Sequence, residues 1–388
     1  MIHSLGDRNH TNNTDQQNPA RDNQPITRGG TAAKSALLLA NSLNDGVEPG
    51  SVHGVTEEKF RQLVALNLFP DPVDECKPIG GQLIESASKL LSQSGFGEYA
   101  DIKNRLSAVL SAFGEERIKE FHSRANAPVD GWGYRDRDPV SRAIFREVIP
   151  LMLAPGSTIT GTENVLKVAN SPIVFLGNHL AALDVHLLDH ALVSSGLTST
   201  ADRLTAVVGH KTFLFPFLRQ MSLTFGTLQV PQSMSVSPRS SEMGARALAR
   251  GASQVIATAN ERLREGESLV VFPEGTRSRN GVLYPMLPGV ARYLRDSGAF
   301  IVPWAHWGIE QALPPDTFTV SPKQLHVRFG KPVKFEDISV AGARKPEEIM
   351  DVIGFLIARL LPEDRRGAYG DYAVSGKLQS AERAANLC

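Results

Sequence analysis

The sequence predicts an α/β fold: a mostly parallel sheet covered by helices, preceded by a small all-α helical bundle. Three observations carry that expectation. Beyond Trp132, short apolar runs alternate with amphipathic stretches, as strands do when helices cover both faces of a parallel sheet. Between residues 31 and 125, apolar residues recur at helical spacing with almost no strand-like alternation. The length, 388 residues, exceeds one domain of about 150 residues.

Residues 1–30 contain no Val, Phe, Tyr or Trp and are rich in Asn, Asp, Gln and Thr. Such a segment cannot offset its ordering entropy by burial and reads as a disordered tail. Residues 31–130 read as the helical bundle domain. One candidate helix covers 32–43. A second opens at Thr56, an N-cap followed by Glu57 and Glu58, and carries Phe60, Leu63 and Val64. Leu83, Ile84, Ala87, Leu90 and Leu91 mark a third face, and Ile102, Leu106, Val109, Leu110 and Phe113 a fourth. Residues 131–364 form the α/β domain. Its strands are expected at Ile173 to Gly177, Leu204 to Gly209, Ser268 to Phe272, Phe300 to Ala305 and Leu325 to Gly330, with helices over 241–265 and 288–297. Residues 365–388 read as a flexible tail.

Composition narrows the function classes. Apolar residues make up 41% and charged residues 21%, enough to build a core. Lys plus Arg equals Asp plus Glu, at 41 each, which argues against a nucleic-acid partner, since such proteins carry a basic stripe. Two cysteines are too few for a disulfide scaffold and fit a reducing compartment. Cys388 stands last rather than fourth from the end, so no prenylation box is expected. The most apolar stretches, Ile173 to Leu192 and Phe213 to Val230, are interrupted by Asn178, His179, Asp184, Arg219 and Gln220. Neither offers the roughly 20 apolar residues of a membrane span. No secretory apolar centre lies in the first thirty residues. The expectation is a cytoplasmic protein that touches a membrane surface at most.

Two segments carry the chemistry. Gly177-Asn178-His179-Leu180-Ala181-Ala182-Leu183-Asp184 follows the apolar run Ile173 to Leu176, at a strand end where α/β proteins place reactive groups. Leu187, Leu188, Ala191 and Leu192 then share one helical face, which puts Asp184 at a helix start. There it can hold one ring nitrogen of His179 and leave the other to take a proton from an alcohol. The alternative is a loop histidine beside a capping aspartate. Phe272-Pro273-Glu274-Gly275-Thr276-Arg277-Ser278-Arg279 also follows a buried run. Arginines at i and i+2 share a side of an extended segment and suit a phosphate, with Glu274 placed to accept from substrate hydroxyls. The alternative is a solvated turn whose charges pair locally.

Lys211 to Arg219 combines basic ends with an aromatic middle, which fits an acyl-chain channel or simple core packing. Ile301-Val302-Pro303-Trp304-Ala305 reads as a buried strand ending near the same face. His186 and His190 have helical i, i+4 spacing but point off the apolar face and lack partners at ligand spacing, so they read as a surface pair and no metal site is assigned. No G-x-S-x-G elbow or complete phosphate loop occurs.

In this order the segments resemble the glycerolipid acyltransferases, the superfamily of lysophosphatidate and glycerol-3-phosphate acyltransferases. Asn178-His179-x4-Asp184 is similar to its first block, Phe272 to Arg279 to its third, and Ile301 to Ala305, with Pro303, to its fourth. The resemblance spans roughly residues 145 to 335. The second block fits less well: Lys211, Pro216 and Gly226 fall in place, but Val230-Pro231-Gln232 stands where an arginine often follows the strand. The leading helical segment resembles the soluble plastid-type enzymes in architecture alone.

The resemblance implies an O-acyltransferase of phospholipid biosynthesis. It would move a fatty acyl group from acyl-CoA or acyl-carrier protein to glycerol 3-phosphate or 1-acylglycerol 3-phosphate, with no cofactor and no acyl-enzyme. It makes His179 the general base and Asp184 its holder. Glu274, Gly275, Thr276, Arg277 and Arg279, with Lys211 and Asn178, are then expected to bind substrate. The rival expectations are a metal-dependent hydrolase and a non-catalytic acyl-lipid-binding protein.

Overall fold

In the strand run Ile173–Gly177 every residue is buried, and alternate side chains enter two different apolar clusters. Ile173 and Phe175 belong to one, Val174 and Leu176 to the other. A strand apolar on both faces must sit centrally in a covered sheet, and this one does. The computed structural model describes residues 66–127, 132–213, 215–230, 245–295, 297–314, 319–370 and 376–388. The expected tail at 1–30 and the candidate helices over 32–43 and from Thr56 lie outside the described residues.

The strands are β1 (Gly133–Arg135), β2 (Thr158–Thr160), β3 (Ile173–Gly177), β4 (Leu204–Gly209), β5 (Gly226–Val230), β6 (Ser268–Val271), β7 (Phe300–Trp307) and β8 (His326–Phe329). They form one sheet in the order β1-β5-β4-β6-β3-β7-β8-β2. The run from β5 through β7 is parallel, β1 lies antiparallel on β5, and β7 and β8 are antiparallel. Three of these strands have no apolar run to announce them. The edge strands β1 and β2 are three residues long and not buried. β5 is buried but carries Thr227 and Gln229 inside.

Three helices precede the sheet: α1 (Ile79–Gln93), α2 (Tyr99–Leu110) and α3 (Glu115–Asn126). Their buried faces, among them Leu83, Leu91, Ile102, Leu106, Ile118 and Phe121, share a single cluster with Phe175, Val302 and Trp304 of the sheet. The helices are therefore a layer on one sheet face. Buried Asp138 ties them to α4 (Pro139–Val148): it caps that helix through Val140 N–H at 2.9 Å and accepts from Arg117 at 2.6 Å and Arg124 at 2.8 Å. From the last turn of α4, Arg146 forks onto Asp189 at 2.9 and 2.8 Å. That bidentate pair fixes α5 (Asp184–Ser194), whose first residue enters the site.

On the opposite face lie α6 (Ala245–Arg264), inside the expected 241–265, and α7 (Pro346–Ala358). The expected helix over 288–297 is a 3₁₀ segment, Pro288–Tyr293. The expectation of a flexible tail from 365 is corrected. Tyr369 is buried, and α8 (Gly376–Leu387) lays Ala381, Ala384 and Ala385 into the second cluster with α7. Small residues at helical spacing pack closely without a bulky apolar signal. Arg359 then satisfies carbonyls at the helix end, donating to Ala385 O at 2.6 Å and Glu382 O at 3.2 Å.

Candidate active site

The site begins where β3 meets its neighbour. Gly177 pairs with Trp304 of β7, and a Cβ on Gly177 would stand 2.5 Å from the indole ring, so glycine is what lets the two strands close. The next residue, Asn178, is buried and binds the β7 backbone with both ends of its amide. It accepts from His306 N–H at 3.0 Å and donates to His306 O at 2.9 Å. The chain is thereby turned so that His179 leaves the sheet.

Asp184, at the first turn of α5, is completely buried. Its Oδ2 accepts from Leu180 N–H at 2.7 Å, and both oxygens accept from Ala181 N–H at 2.9 and 3.0 Å. The remaining contact of Oδ2 is His179 Nδ1, at 2.8 Å. Burial pushes this carboxyl up, but the neighbouring His306 and His179 rings outweigh it and hold it below the ordinary carboxylate range. An ionised Asp184 accepts hydrogen bonds only, so the His179 proton sits on Nδ1 and Nε2 presents a lone pair. Nε2 has no partner among the described residues, and the side chain keeps 23% of its surface exposed. The Phe272 ring lies flat on the imidazole, with centroids 4.3 Å apart and planes 11° apart. The result is a fixed imidazole with an open, unpaired Nε2.

The loop after β6 is bolted to this turn. Glu274 Oε1 accepts from His179 N–H at 2.7 Å, Oε2 accepts from Tyr284 N–H at 2.8 Å, and Ser278 N–H donates to His179 O at 2.8 Å. Two segments separated by 95 residues thus form one unit. Burial pushes the Glu274 carboxyl up to about 7 despite those two backbone donors. Gly275 turns the loop at φ +69°, a conformation an L side chain resists. Ser278 is buried, whereas Thr276, Arg277 and Arg279 are exposed. Neither guanidinium has a partner among the described residues, so both are available to an anion.

Several expected residues stand differently from their anticipated use. Asn178 and Glu274 are both at hand, but their polar atoms are occupied by backbone. Gly275 N–H is likewise taken, donating to Phe272 O at 3.1 Å. Lys211 lies in the turn His210–Phe213 after β4. His186 and His190 are not a surface pair. His186 is buried between Phe145 and Phe225, with ring centroids 4.8 Å from each, and burial pushes it down to about 3. The helix is covered on that side too, by α4, which its apolar face of Leu187, Leu188, Ala191 and Leu192 could not reveal. Among the described residues no three His, Cys, Asp or Glu side chains gather as metal ligands.

Sequence reasoning passed over Phe272 as a stacking partner and His306 altogether. The signal for His306 was available: it stands two residues beyond Trp304, hence on the same strand face. A shallow, narrow apolar recess lies beside the His179 turn, lined by Ala182, Leu183, Leu90, Phe96, Phe217 and Met221 among others. The aromatic stretch after Lys211 therefore serves both packing and this recess.

Residues 156–307 match the family Acyltransferase. A 1-acyl-sn-glycerol-3-phosphate acyltransferase of Borreliella burgdorferi is 26% identical over 145 residues, 37% of this chain and 48% of that protein. The enzyme of the same name from Cocos nucifera is 23% identical over 209 residues, 54% of this chain and 59% of the relative. These matches support the resemblance of residues 156–307 to the glycerolipid acyltransferase superfamily. It spans about half the length of the curated relatives it matches. The solved 1-acyl-sn-glycerophosphate acyltransferase of Thermotoga maritima is similar over 71% of this chain and 96% of its own, at 17% identity and a TM-score of 0.42. Both halves of the candidate site, the His179 turn and the Arg277 loop, fall within the matched residues. Among the described residues, no helix is long and apolar enough to cross a membrane.

Proposed function

We propose that this acyltransferase transfers a fatty acyl group from acyl-CoA or acyl-carrier protein to the free hydroxyl of 1-acylglycerol 3-phosphate. The observation that carries the reading is the single unit formed by a held imidazole and a loop with two unpaired guanidiniums. The names of the relatives favour the lysophospholipid over glycerol 3-phosphate as acceptor.

His179 Nε2 takes the proton of the acceptor hydroxyl as that oxygen attacks the thioester carbonyl. The tetrahedral intermediate then collapses, the C–S bond breaks, and the imidazolium returns the proton to the leaving thiolate. Asp184 holds the tautomer and offsets the positive charge in between. Arg277 and Arg279 bind the acceptor phosphate, so binding far from the reacting carbon fixes the geometry. The apolar recess beside Leu183 receives an acyl chain. Because the acceptor is itself a lipid, the loop that exposes Thr276, Arg277 and Arg279 works at a membrane surface.

The test is thiol release from acyl-CoA with lysophosphatidate and glycerol 3-phosphate compared side by side, with and without chelator. Release that depends on lysophosphatidate and survives EDTA is the expected result. Binding of acyl-CoA without acceptor-dependent release would leave a lipid-binding protein. Loss with EDTA would favour a metal-dependent hydrolase.

A further inference from the structure

His306 has no duty in the mechanism above, yet it occupies the most protected position near the base. It stands near the end of β7, is fully buried, and its Nε2 lies 3.1 Å from Asp184 Oδ1. His179 takes the other oxygen, Oδ2. We propose that His306 is a positioning residue for the acyl transfer: Asp184 bridges two imidazoles, and His306 sets how much of the carboxylate charge His179 feels. The inference rests on His179 acting as the base.

The placement of the ring is overdetermined. Asn178 holds the His306 backbone by both its N–H and its carbonyl, and Asn178 is also the residue immediately before His179. The ring stacks on Trp304, with centroids 4.6 Å and planes 17° apart, so it cannot swing away from Asp184. Neither ring nitrogen completes a hydrogen bond among the described residues, because the approach of Nε2 to Oδ1 is off line. A buried imidazole in that state is less favourable than an apolar side chain of equal size. The cost has a return if the ring acts electrostatically on Asp184. An unprotonated Nε2 would face the carboxylate lone pair to lone pair at this distance, so the proton is on Nε2. One N–H dipole then lies beside each carboxylate oxygen, in line at Oδ2 and off line at Oδ1.

The sign of the effect follows. With His306 present, part of the Asp184 charge is screened, and the His179 imidazolium is less favoured than it would be beside Asp184 alone. Removing the His306 N–H raises the pH at which His179 loses its proton. The titratable groups around Asp184 are His179, His306, His186 on the next turn of α5, and Glu274 from the loop after β6. Only His306 changes in the variants below.

The experiment follows ring-nitrogen resonances of the full chain, labelled with ¹⁵N-histidine, as pH is varied. His179 is assigned by its loss in His179→Asn and His306 by its loss in His306→Gln. In His306→Phe the His179 midpoint should rise by about half a pH unit or more, and the acid limb of kcat should move with it while KM stays unchanged. His306→Gln, which keeps an N–H donor, should recover most of that shift. An unmoved midpoint in the Phe variant overturns the inference. So does a wild-type His306 resonance with its proton on Nδ1, a result that needs no variant fold beyond the Gln protein used for assignment. If the midpoint moves as expected but no acyl transfer is found, the proposed function fails and the coupling stands.

Discussion

Glu274 links the two halves of the site, and replacing it with Gln separates two uses of the same side chain. If it accepted from substrate hydroxyls, Glu274→Gln would chiefly weaken acceptor binding. In the structure its oxygens are instead filled by His179 N–H and Tyr284 N–H, so the change acts on the loop itself. The buried carboxyl is raised from 4.5 to about 7, which corresponds to about 3 kcal/mol of stability. The sign is set by proton counts. Between those two values the unfolded chain has released the proton while the folded chain retains it, so stability falls as pH rises. The contribution is full below 4.5 and lost once pH has passed through about 7.

Gln cannot ionise and lacks this slope. It also turns an amide N–H₂ toward one of the two backbone donors, losing a hydrogen bond worth about 1–3 kcal/mol including the group left unpaired. At pH 5 the wild type should therefore be the more stable by roughly that amount. At pH 8 its own loss of about 3 kcal/mol should bring the two proteins level or reverse their order. Urea unfolding of both proteins from pH 5 to 8 measures the difference directly. Curves that stay parallel over that interval refute the burial argument. A large rise in KM for the acceptor with no change in unfolding would return Glu274 to the substrate.

His179→Ala should lower turnover at least roughly 100-fold while unfolding stays cooperative; near-normal turnover in a folded variant removes the base assignment. Arg277→Met should raise the apparent KM for the phosphorylated acceptor several-fold with little effect on the thioester, since a fork to phosphate is lost; an effect confined to the thioester places the phosphate elsewhere. Gly177→Ala forces a methyl to within 2.5 Å of a rigid, buried indole and should cost about 1–3 kcal/mol by overpacking, read as a lower urea midpoint; an unchanged midpoint means β3 and β7 can part.

What was legible in the sequence follows what each element needs. β3, β4, β6 and β7 lie inside the sheet and are mostly apolar, so they announce themselves. β1 and β2 lie at the edges and need no such run, and β5 buries Thr227 and Gln229. The alanines of α8 carry too little side chain to signal burial. At the site, the meeting of His179 with Asp184 was readable because a strand end and the helix start that follows it are local facts. The work of Asn178 and Glu274 was not, because their partners are backbone groups distant in sequence. No residue type at 306 or 284 advertises that its N–H is wanted elsewhere.

That contrast has a consequence for how the base is built. A loop histidine beside an aspartate is unexceptional, and four intervening residues of free chain would let the ring wander. Here the backbone of His179 is held on one side through Glu274 and on the other through Ser278, while Phe272 covers its face. All three come from the loop that also carries Arg277 and Arg279. A ligand phosphate drawn to those guanidiniums therefore pulls on the same segment that orients the imidazole. Geometry near the proton and binding at the phosphate are coupled through a few hydrogen bonds of 2.7–2.8 Å, and a substitution that loosens either loop should degrade both.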